Sequence, residues 1–333
     1  MSLLKIYSEK NSTSFLKKRA GETKFGEKVS FVKSLEDLKN HAAKYVLLGI
    51  PEDIGVRANF GNPGTSKAWE AALGSLLNIQ HNHLTNAENV ILLGEIDCET
   101  QMKQAESISK EEIHYAEELG GLVSQIDDKI SLVIKAIVEA GKFPIIIGGG
   151  HNNSFGNLKG TSQALKKPIN CINFDAHTDF RSLEHRHSGN GFSYAFVDGF
   201  LAKYFIFGLH RNYSSAAVFN SMEKNSHRVN FNLFEDISVN QKLSFSVALK
   251  DAENFCCNEN FGIELDMDAI EMMGSSAISP SGFSLNEARQ FVSYFTKNEN
   301  ASYLHICEGS PSAGVFPNQV GKAITYLVSD SIS

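Results

Sequence analysis

The chain has 333 residues, 42% of them hydrophobic, and can therefore bury a large core. Its formal net charge is -7 and no stretch clusters Lys and Arg, so a nucleic-acid partner is not expected. No run reaches the roughly 20 apolar residues of a membrane-spanning helix, and the N-terminus has no apolar signal region. We therefore expect no membrane partner. Because the five cysteines are odd in number and lack CxxC spacing, we expect reduced thiols in a cytoplasmic protein.

Residues 1–40 are predominantly polar and predict an N-terminal extension. No linker, repeat or low-complexity tract interrupts residues 41–333, so a single domain is expected there. Within it, short apolar runs rich in β-branched residues alternate with longer amphipathic segments. Such runs are typical of strands buried on both faces, as in a parallel sheet. We predict strands at residues 45–49, 90–94, 144–148, 169–174, 204–208, 261–265 and 303–307.

The segments between these runs have helical periodicity, most clearly over residues 111–140, where apolar residues recur every three or four positions. Another helix is predicted to begin after Ser284, because Ser284 and Glu287 match a capping box. Alternation of strands and helices along the chain predicts an α/β fold with a doubly wound, mostly parallel sheet flanked by helices. Ligands of such folds bind beyond the carboxyl ends of the strands.

Two polar clusters directly follow predicted strands. His151 comes after a run of glycines that lets the backbone turn sharply, although a glycine-rich loop with one histidine is weak evidence alone. Asp175, His177 and Asp179 are more informative, because residues at i, i+2 and i+4 of an extended segment point the same way. A solvated loop is the simpler interpretation, but such charges seldom emerge unpaired from a buried strand. The spacing predicts convergence of these side chains on one point.

A third cluster, Asp266 and Asp268, repeats the i, i+2 spacing after the strand at residues 261–265. Alone, it fits a solvated turn as well as a pair of ligands. Together the clusters supply aspartates and histidines but no cysteine, a donor set that suits hard or borderline divalent ions such as Mn²⁺ rather than structural zinc. The negative charge of the aspartates is enough to balance two such ions.

In this order and spacing, Gly-Gly-x-His, Asp-Ala-His-x-Asp and Asp-x-Asp resemble the signatures of the arginase/agmatinase/formimidoylglutamase (ureohydrolase) family. The resemblance implies an arginase-like three-layer fold, with residues 41–333 as the catalytic domain. It also implies two Mn²⁺ per subunit and hydrolysis of a C–N bond in a small amidine or guanidine. The implied metal ligands are His151, Asp175, His177, Asp179, Asp266 and Asp268.

The resemblance further implies three catalytic positions. Glu308 falls where the family has a glutamate that holds the substrate's amidinium, and Asp179 would accept a hydrogen bond from the attacking water besides binding metal. The family's proton-shuttling histidine aligns with Ser188, and His187 precedes it by one residue. Either of them can take that position by sequence alone. Ser188 and Asn190 are also candidates for substrate binding.

Arg181, two residues beyond Asp179, resembles the pattern of formimidoylglutamases, whereas arginases typically have Asn there. An arginine at the mouth of the site would pair with a carboxylate of N-formimidoyl-L-glutamate and repel cationic arginine. Arg57 is a second candidate to bind a carboxylate, with a surface ion pair as the simpler interpretation. The predicted reaction is therefore conversion of N-formimidoyl-L-glutamate to L-glutamate and formamide, a step of histidine degradation.

Three alternatives stay open at this point. An arginase or another guanidino-acid hydrolase on the same scaffold would release urea. A metal-free homologue would serve as a structural or regulatory subunit, although the complete set of ligand positions argues against it. A deacetylase on a related fold would use one zinc and fewer aspartates. Family members are commonly trimers or hexamers, so the resemblance also implies a homo-oligomer.

Overall fold

A mostly parallel sheet forms the middle layer of the computed structural model, which describes residues 2–333. The strands of this part of the chain are β1 (Leu4–Ile6), β2 (Tyr45–Gly49), β3 (Val90–Ile96), β4 (Phe143–Ile147), β5 (Ile169–Phe174), β6 (Leu201–Leu209), β7 (Val229–Leu233), β8 (Phe261–Asp266) and β9 (Ala301–Cys307). They lie in the order β1-β3-β2-β4-β9-β8-β5-β6-β7. The edge strand β1 pairs antiparallel with β3, whereas all the other neighbouring strands of the described sheet pair in parallel.

Helices connect the strands and cover both faces of the sheet. They are α1 (Glu9–Thr13), α2 (Ile54–Ala58), α3 (Ala68–Leu76), α4 (Glu99–Ser107), α5 (Tyr115–Glu139), α6 (Ser154–Leu165), α7 (Gly191–Val197), α8 (Ala216–Lys224), α9 (Phe245–Cys256), α10 (Leu285–Phe295) and α11 (Gln319–Ser331). None of the helices described between residues 2 and 333 has the length and apolar character needed to cross a membrane.

Two hydrophobic cores, one on each face of the sheet, give the molecule three layers. Buried residues of α3, α9, α10 and α11 pack on one face, and those of α2, α4, α5, α6, α7 and α8 on the other. The strands contribute to both cores because successive side chains alternate in direction; Leu47 belongs to the first and Val46 to the second. The predicted α/β fold with a doubly wound, mostly parallel sheet is confirmed.

The central strands position the three polar clusters. In register, β5 pairs with β8 and β8 with β9, so that Phe174 lies beside Leu265 and Asp266 beside Cys307. On the other side of β9, Ile147 of β4 pairs with Ile306. The carboxyl ends of these strands thus lie side by side, and the segments that follow them meet at one edge of the sheet.

Two strands have no counterpart in the sequence prediction. The edge strand β7 carries asparagines between its apolar residues, and β1 has three residues, so neither forms an apolar run. Through β1 the predicted N-terminal extension joins the sheet, with Leu4 opposite Ile96. The boundary at residue 40 stays a prediction, and Met1 lies outside the described residues. The capping box is present as expected, since Ser284 accepts from Glu287 N and donates to its carboxylate.

Candidate metal centre and active-site cleft

The glycine loop after β4 directs His151 toward the neighbouring strand ends. Gly148 and Gly149 have φ of +93° and +73°, a left-handed conformation that glycine adopts without a steric cost. A Cβ on Gly149 would also lie 2.0 Å from Asn153 Nδ2. The buried carboxylate of Glu52 supports the loop, because its Oε1 accepts hydrogen bonds from Gly150 N at 3.0 Å and Asn153 Nδ2 at 2.8 Å. Sequence analysis missed Glu52, which is separated from the loop by about a hundred residues.

His151 and three carboxylates form what we call the inner cluster. The His151 Nδ1 atom lies 2.8 Å from Asp179 Oδ2, 3.1 Å from Asp266 Oδ2 and 3.3 Å from Asp175 Oδ2. One potential ligand atom from each of the four residues lies within 4.8 Å of the others. The His151 side chain is fully buried and the carboxylates are nearly so.

His177, Asp266 and Asp268 form the outer cluster, again with ligand atoms within 4.8 Å of one another. Asp266 therefore belongs to both clusters. Asp175 also reaches both histidines, since its Oδ1 lies 3.5 Å from His177 Nδ1 and its Oδ2 faces His151. The His177 side chain is 30% exposed, in contrast to His151.

Neighbouring groups fix the orientation of the carboxylates. Asp175 accepts hydrogen bonds from Asn173 Nδ2 at 2.8 Å and from His177 N at 2.7 Å. Asp268 Oδ1 accepts from Ala277 N at 3.0 Å. Asp179 has a φ of +43°, an unusual conformation for a residue with a side chain and one that occurs at functional sites. The donor atoms are thus held in place by the protein itself.

The electrostatics of the two clusters favour the binding of cations. Burial raises the pKa of Asp266 well above its usual range, and the charges of Asp268 and Asp175 add to this effect. Burial alone would lower the pKa of His177, but its hydrogen bond to Asp175 and the charge of Asp268 outweigh burial and raise this pKa to about 10. In the absence of metal these shifts favour protonated side chains at Asp266 and His177, and metal binding should displace their protons. Oxygen and imidazole donors of this kind fit two hard or borderline divalent ions.

Glu308 lies beside the clusters without belonging to either of them. It follows β9 with a φ of +60°, and its Oε1 accepts a hydrogen bond from His151 N at 2.6 Å. Its Oε2 is buried and has no hydrogen-bond partner among residues 2–333. Burial and the charge of Asp268 raise the Glu308 pKa to about 8. A cationic group at Oε2 would compensate for both effects.

A cleft of about 400 Å³ leads from the clusters to the surface, and both Glu308 and Asp179 line it. Arg181 lines its outer part and is half exposed. The Arg181 guanidinium donates to Asn59 Oδ1 and, at 3.1 Å, to Glu184 Oε1. Ser188 also lines the cleft, where its hydroxyl accepts from Asn59 Nδ2 at 3.1 Å. The structure thus brings Arg181 and Ser188 together at the cleft, and their role in substrate binding stays a prediction.

The model of the arginase family matches residues 43–330. The chain belongs to the arginase family. Curated relatives include the formimidoylglutamase of Geobacillus thermodenitrificans, 25% identical over 271 residues, which are 79% of this chain and 76% of the relative. The formimidoylglutamase of Streptococcus pyogenes is 25% identical over 295 residues, or 85% and 82% of the two chains. The resemblance inferred from the metal-site motifs is therefore confirmed.

Solved structures of arginase-family proteins have the same fold. The formimidoylglutamase of Bacillus subtilis superposes with a TM-score of 0.76 at 19% identity, covering 97% of this chain and 96% of that chain. The Trypanosoma cruzi formiminoglutamase, solved with two Mn²⁺ ions, gives a TM-score of 0.73 at 20% identity, with 93% and 97% of the chains covered. At these identities the superpositions establish the arginase-like fold.

Two residues predicted from the family resemblance, His187 and Asn190, are not among the residues that line the cleft. His187 is buried; its Nδ1 accepts from Gly189 N at 3.0 Å and its Nε2 lies 2.9 Å from Glu184 Oε1. Both ring nitrogens are therefore engaged within its own loop, and the structure does not support His187 as a proton shuttle. Asn190 is fully buried and accepts at 2.6 Å from Arg186, so its contacts support the loop, and its role in substrate binding stays a prediction.

Arg57, the second predicted carboxylate-binding residue, makes its described contact outside the cleft. It lies on the short helix α2, and its side chain reaches α4. Its guanidinium donates to Ala105 O at 2.7 Å. Arg57 is not among the residues lining the cleft, and we do not assign it a carboxylate of the substrate.

Tyr213 and Asn59 are cleft residues that sequence analysis missed. The Tyr213 ring stacks on His177 with a centroid distance of 5.0 Å and on His210 with a centroid distance of 5.3 Å. His210 in turn stacks on Phe234 at 4.5 Å. No periodicity or spacing marks these positions, because they lie in segments that become neighbours through the fold.

Proposed function

We propose that this arginase-family protein is a metal-dependent hydrolase that converts N-formimidoyl-L-glutamate to L-glutamate and formamide, with two Mn²⁺ per subunit. The carrying observation is the pair of clusters that share Asp266 at the inner end of a cleft whose outer part contains Arg181. We assign the ligand roles to the predicted set, namely His151, Asp175, His177, Asp179, Asp266 and Asp268. When bound, two divalent ions would lower the pKa of a water molecule and polarise the substrate.

We assign Glu308 the role of binding the substrate's amidinium. Its Oε1 is fixed by the backbone N–H of His151, whereas its Oε2 has no partner and lies beside Asp268, in a negatively charged region. A charge-assisted hydrogen bond from the amidinium to Oε2 would place the amidine carbon next to the clusters. Asp179 also lines the cleft, and we assign it a hydrogen bond to the attacking water in addition to its ligand role.

We assign Arg181 the role of binding a carboxylate of the substrate. Glu184 and Asn59 hold its guanidinium, which has five N–H donors and keeps some of them free for a ligand. N-formimidoyl-L-glutamate carries two carboxylates and one amidinium, so a cation at the mouth and an anion at the inner end match its two ends. The Ser188 hydroxyl beside Asn59 is a further polar contact for the same end of the substrate.

A substrate panel assayed with added Mn²⁺ tests this function, with formamide, urea and ammonia measured as separate products. We expect formamide from N-formimidoyl-L-glutamate, whereas rapid release of urea from L-arginine would assign a guanidino-acid hydrolase instead. Metal analysis of the purified protein tests the alternative of a metal-free structural or regulatory homologue, which would bind no metal. We also propose that the protein is cytoplasmic and forms a trimer or hexamer, which fractionation and sedimentation would test.

Arg181→Ala tests the substrate's orientation. Because Arg181 is half exposed, loss of its ion pair with the substrate should cost about 1 kcal/mol, so kcat/KM for N-formimidoyl-L-glutamate should fall by roughly fivefold. Turnover of a small amidine without carboxylates should change little. Arg57→Ala is the matched control, because Arg57 is also partly buried but contacts Ala105 away from the cleft. Equal losses on both substrates would show that Arg181 is structural.

A further inference from the structure

Behind the inner cluster, two ionisable side chains of adjacent strands form a fully buried pair. Glu264 of β8 and His305 of β9 are register partners, and both are 0% exposed. The Glu264 Oε2 atom lies 2.5 Å from His305 Nδ1. The assigned ligand set does not include either residue. Because an isolated buried charge is costly, a pair of this kind requires a structural or functional reason.

The pair faces the side of His151 that points away from the aspartates. His151 Nδ1 is directed at the inner cluster, whereas its Nε2 is buried and has no hydrogen-bond partner within the described chain. The Glu264 Oε2 atom lies 3.5 Å from this Nε2. Metal-binding histidines usually donate their second ring N–H to a carboxylate or carbonyl, which fixes the tautomer and the direction of the ring. Glu264 is in position to accept that proton.

Further contacts fix Glu264 itself. Tyr303 donates its hydroxyl to Glu264 Oε1 at 2.8 Å. His305, in turn, has its Nε2 at 3.2 Å from Gly148 O, which belongs to the glycine loop that carries His151. The pair therefore connects β8 and β9 to the loop of this ligand. A movement of Glu264 would disturb both the second nitrogen of His151 and the start of its loop.

We propose that Glu264, held by His305, is a positioning residue for the inner metal site. By accepting the Nε2 proton of His151, it directs the Nδ1 lone pair at the inner cluster and raises the affinity of that site for its ion. The inference rests on the proposed two-metal function. It is selective, because the described contacts of His177 include a stacked tyrosine and no buried glutamate behind the ring.

Titration of the metal-free protein with Mn²⁺, followed by electron paramagnetic resonance, tests the proposal. The wild type should bind two ions. In Glu264→Gln, which keeps the shape but removes the charge, affinity for one ion should fall by about 10- to 100-fold, while the other changes little. Excess Mn²⁺ should then restore kcat, which it would not do for a residue with a purely structural role.

Asp127→Asn is the matched control, because it also removes one charge from a buried ion pair, with Arg186 at 3.0 Å. We expect it to lower stability without changing Mn²⁺ affinity. If Glu264→Gln does not fold, the double variant E264Q/H305Q leaves no unpaired charge, and its affinity for one ion should fall in the same way.

The outcomes distinguish this inference from the proposed function. Wild-type affinity for both ions in the Glu264 variants would overturn the inference and leave the two-metal function intact. Binding of a third ion, lost in Glu264→Gln, would also overturn it, because Glu264, His305 and Cys307 would then be ligands themselves; their ligand atoms lie within 4.8 Å of one another. A wild type that binds no Mn²⁺ at any concentration would overturn the proposed function, and the inference with it.

Discussion

The two histidines assigned to metal binding have the same position in sequence terms, one after each of two buried strands, but very different surroundings. His151 is fully buried, with carboxylates on one side of the ring and Glu264 on the other. His177 is 30% exposed, and its face is covered by Tyr213, which is 45% exposed. The inner site is therefore held by buried polar contacts and the outer site by stacking near the surface. Similar ligand motifs thus do not imply similar affinity or rigidity.

Asp266 is the residue at which this comparison breaks down, because it belongs to both clusters. Asp266→Asn should therefore abolish binding of both ions at micromolar Mn²⁺ and remove detectable turnover. Removal of one carboxylate leaves the remaining donors with too little charge to compensate for dehydration of the ions. Metal analysis after gel filtration measures the loss, with Asp198→Asn on the exposed surface as the control. Retention of one tightly bound ion would show that the two sites are independent.

Glu308→Gln separates metal binding from substrate binding at the inner end. The glutamine can still accept from His151 N, but it lacks the charge that faces the amidinium. We expect kcat/KM to fall by about 2–5 kcal/mol, or roughly 30- to 5,000-fold, with both ions retained. Steady-state kinetics and metal content measure the two effects. Full activity, or loss of both ions, would contradict the assigned role.

The inner end of the cleft was largely predictable from the sequence, and its outer end only in part, through Arg181 and Ser188. Ligands such as Asp175 directly follow apolar strands, so local spacing was enough to place them at strand ends. Tyr213 and Asn59 belong to connecting segments, where no periodicity indicates direction. Arg57 lies on α2 and donates to Ala105 O, a contact between distant segments that spacing along the chain does not indicate. The role of Glu264 depends on its pairing with His305 across two strands, a contact that spacing along the chain does not reveal.

A third histidine, His187, is not assigned to metal binding and can be compared with the other two. Burial lowers its pKa to about 4, although the Glu184 carboxylate acts in the opposite direction. The folded state therefore disfavours the charged ring. The contribution of the neutral ring to the free energy of unfolding is fully present above the unfolded pKa of 6.5 and is lost as the pH falls toward 4. In His187→Asn, which can still accept from Gly189 N, this pH dependence should be absent.

Denaturant unfolding at pH 7 and pH 5 measures this effect. Between these values the wild type should lose up to about 2 kcal/mol of unfolding free energy relative to His187→Asn. The variant should also retain most of its turnover, because neither ring nitrogen of His187 faces the cleft. A parallel pH dependence of stability would show that His187 titrates normally, and a large loss of kcat would return it to the role of proton shuttle.

Tyr213→Leu gives the smallest expected effect and tests the outer site alone. Stacking of aromatic rings contributes about 0.5–1.5 kcal/mol, so loss of the Tyr213 ring should weaken one Mn²⁺ by roughly 2- to 10-fold. Tyr213→Phe, which keeps the ring, should bind both ions as the wild type does. Combination with Glu264→Gln makes the test sharper, because the two changes then act on different ions and their free energies should add. If Tyr213→Leu instead weakens the ion that Glu264→Gln weakens, the two histidines act as one coupled unit and the distinction between inner and outer sites fails.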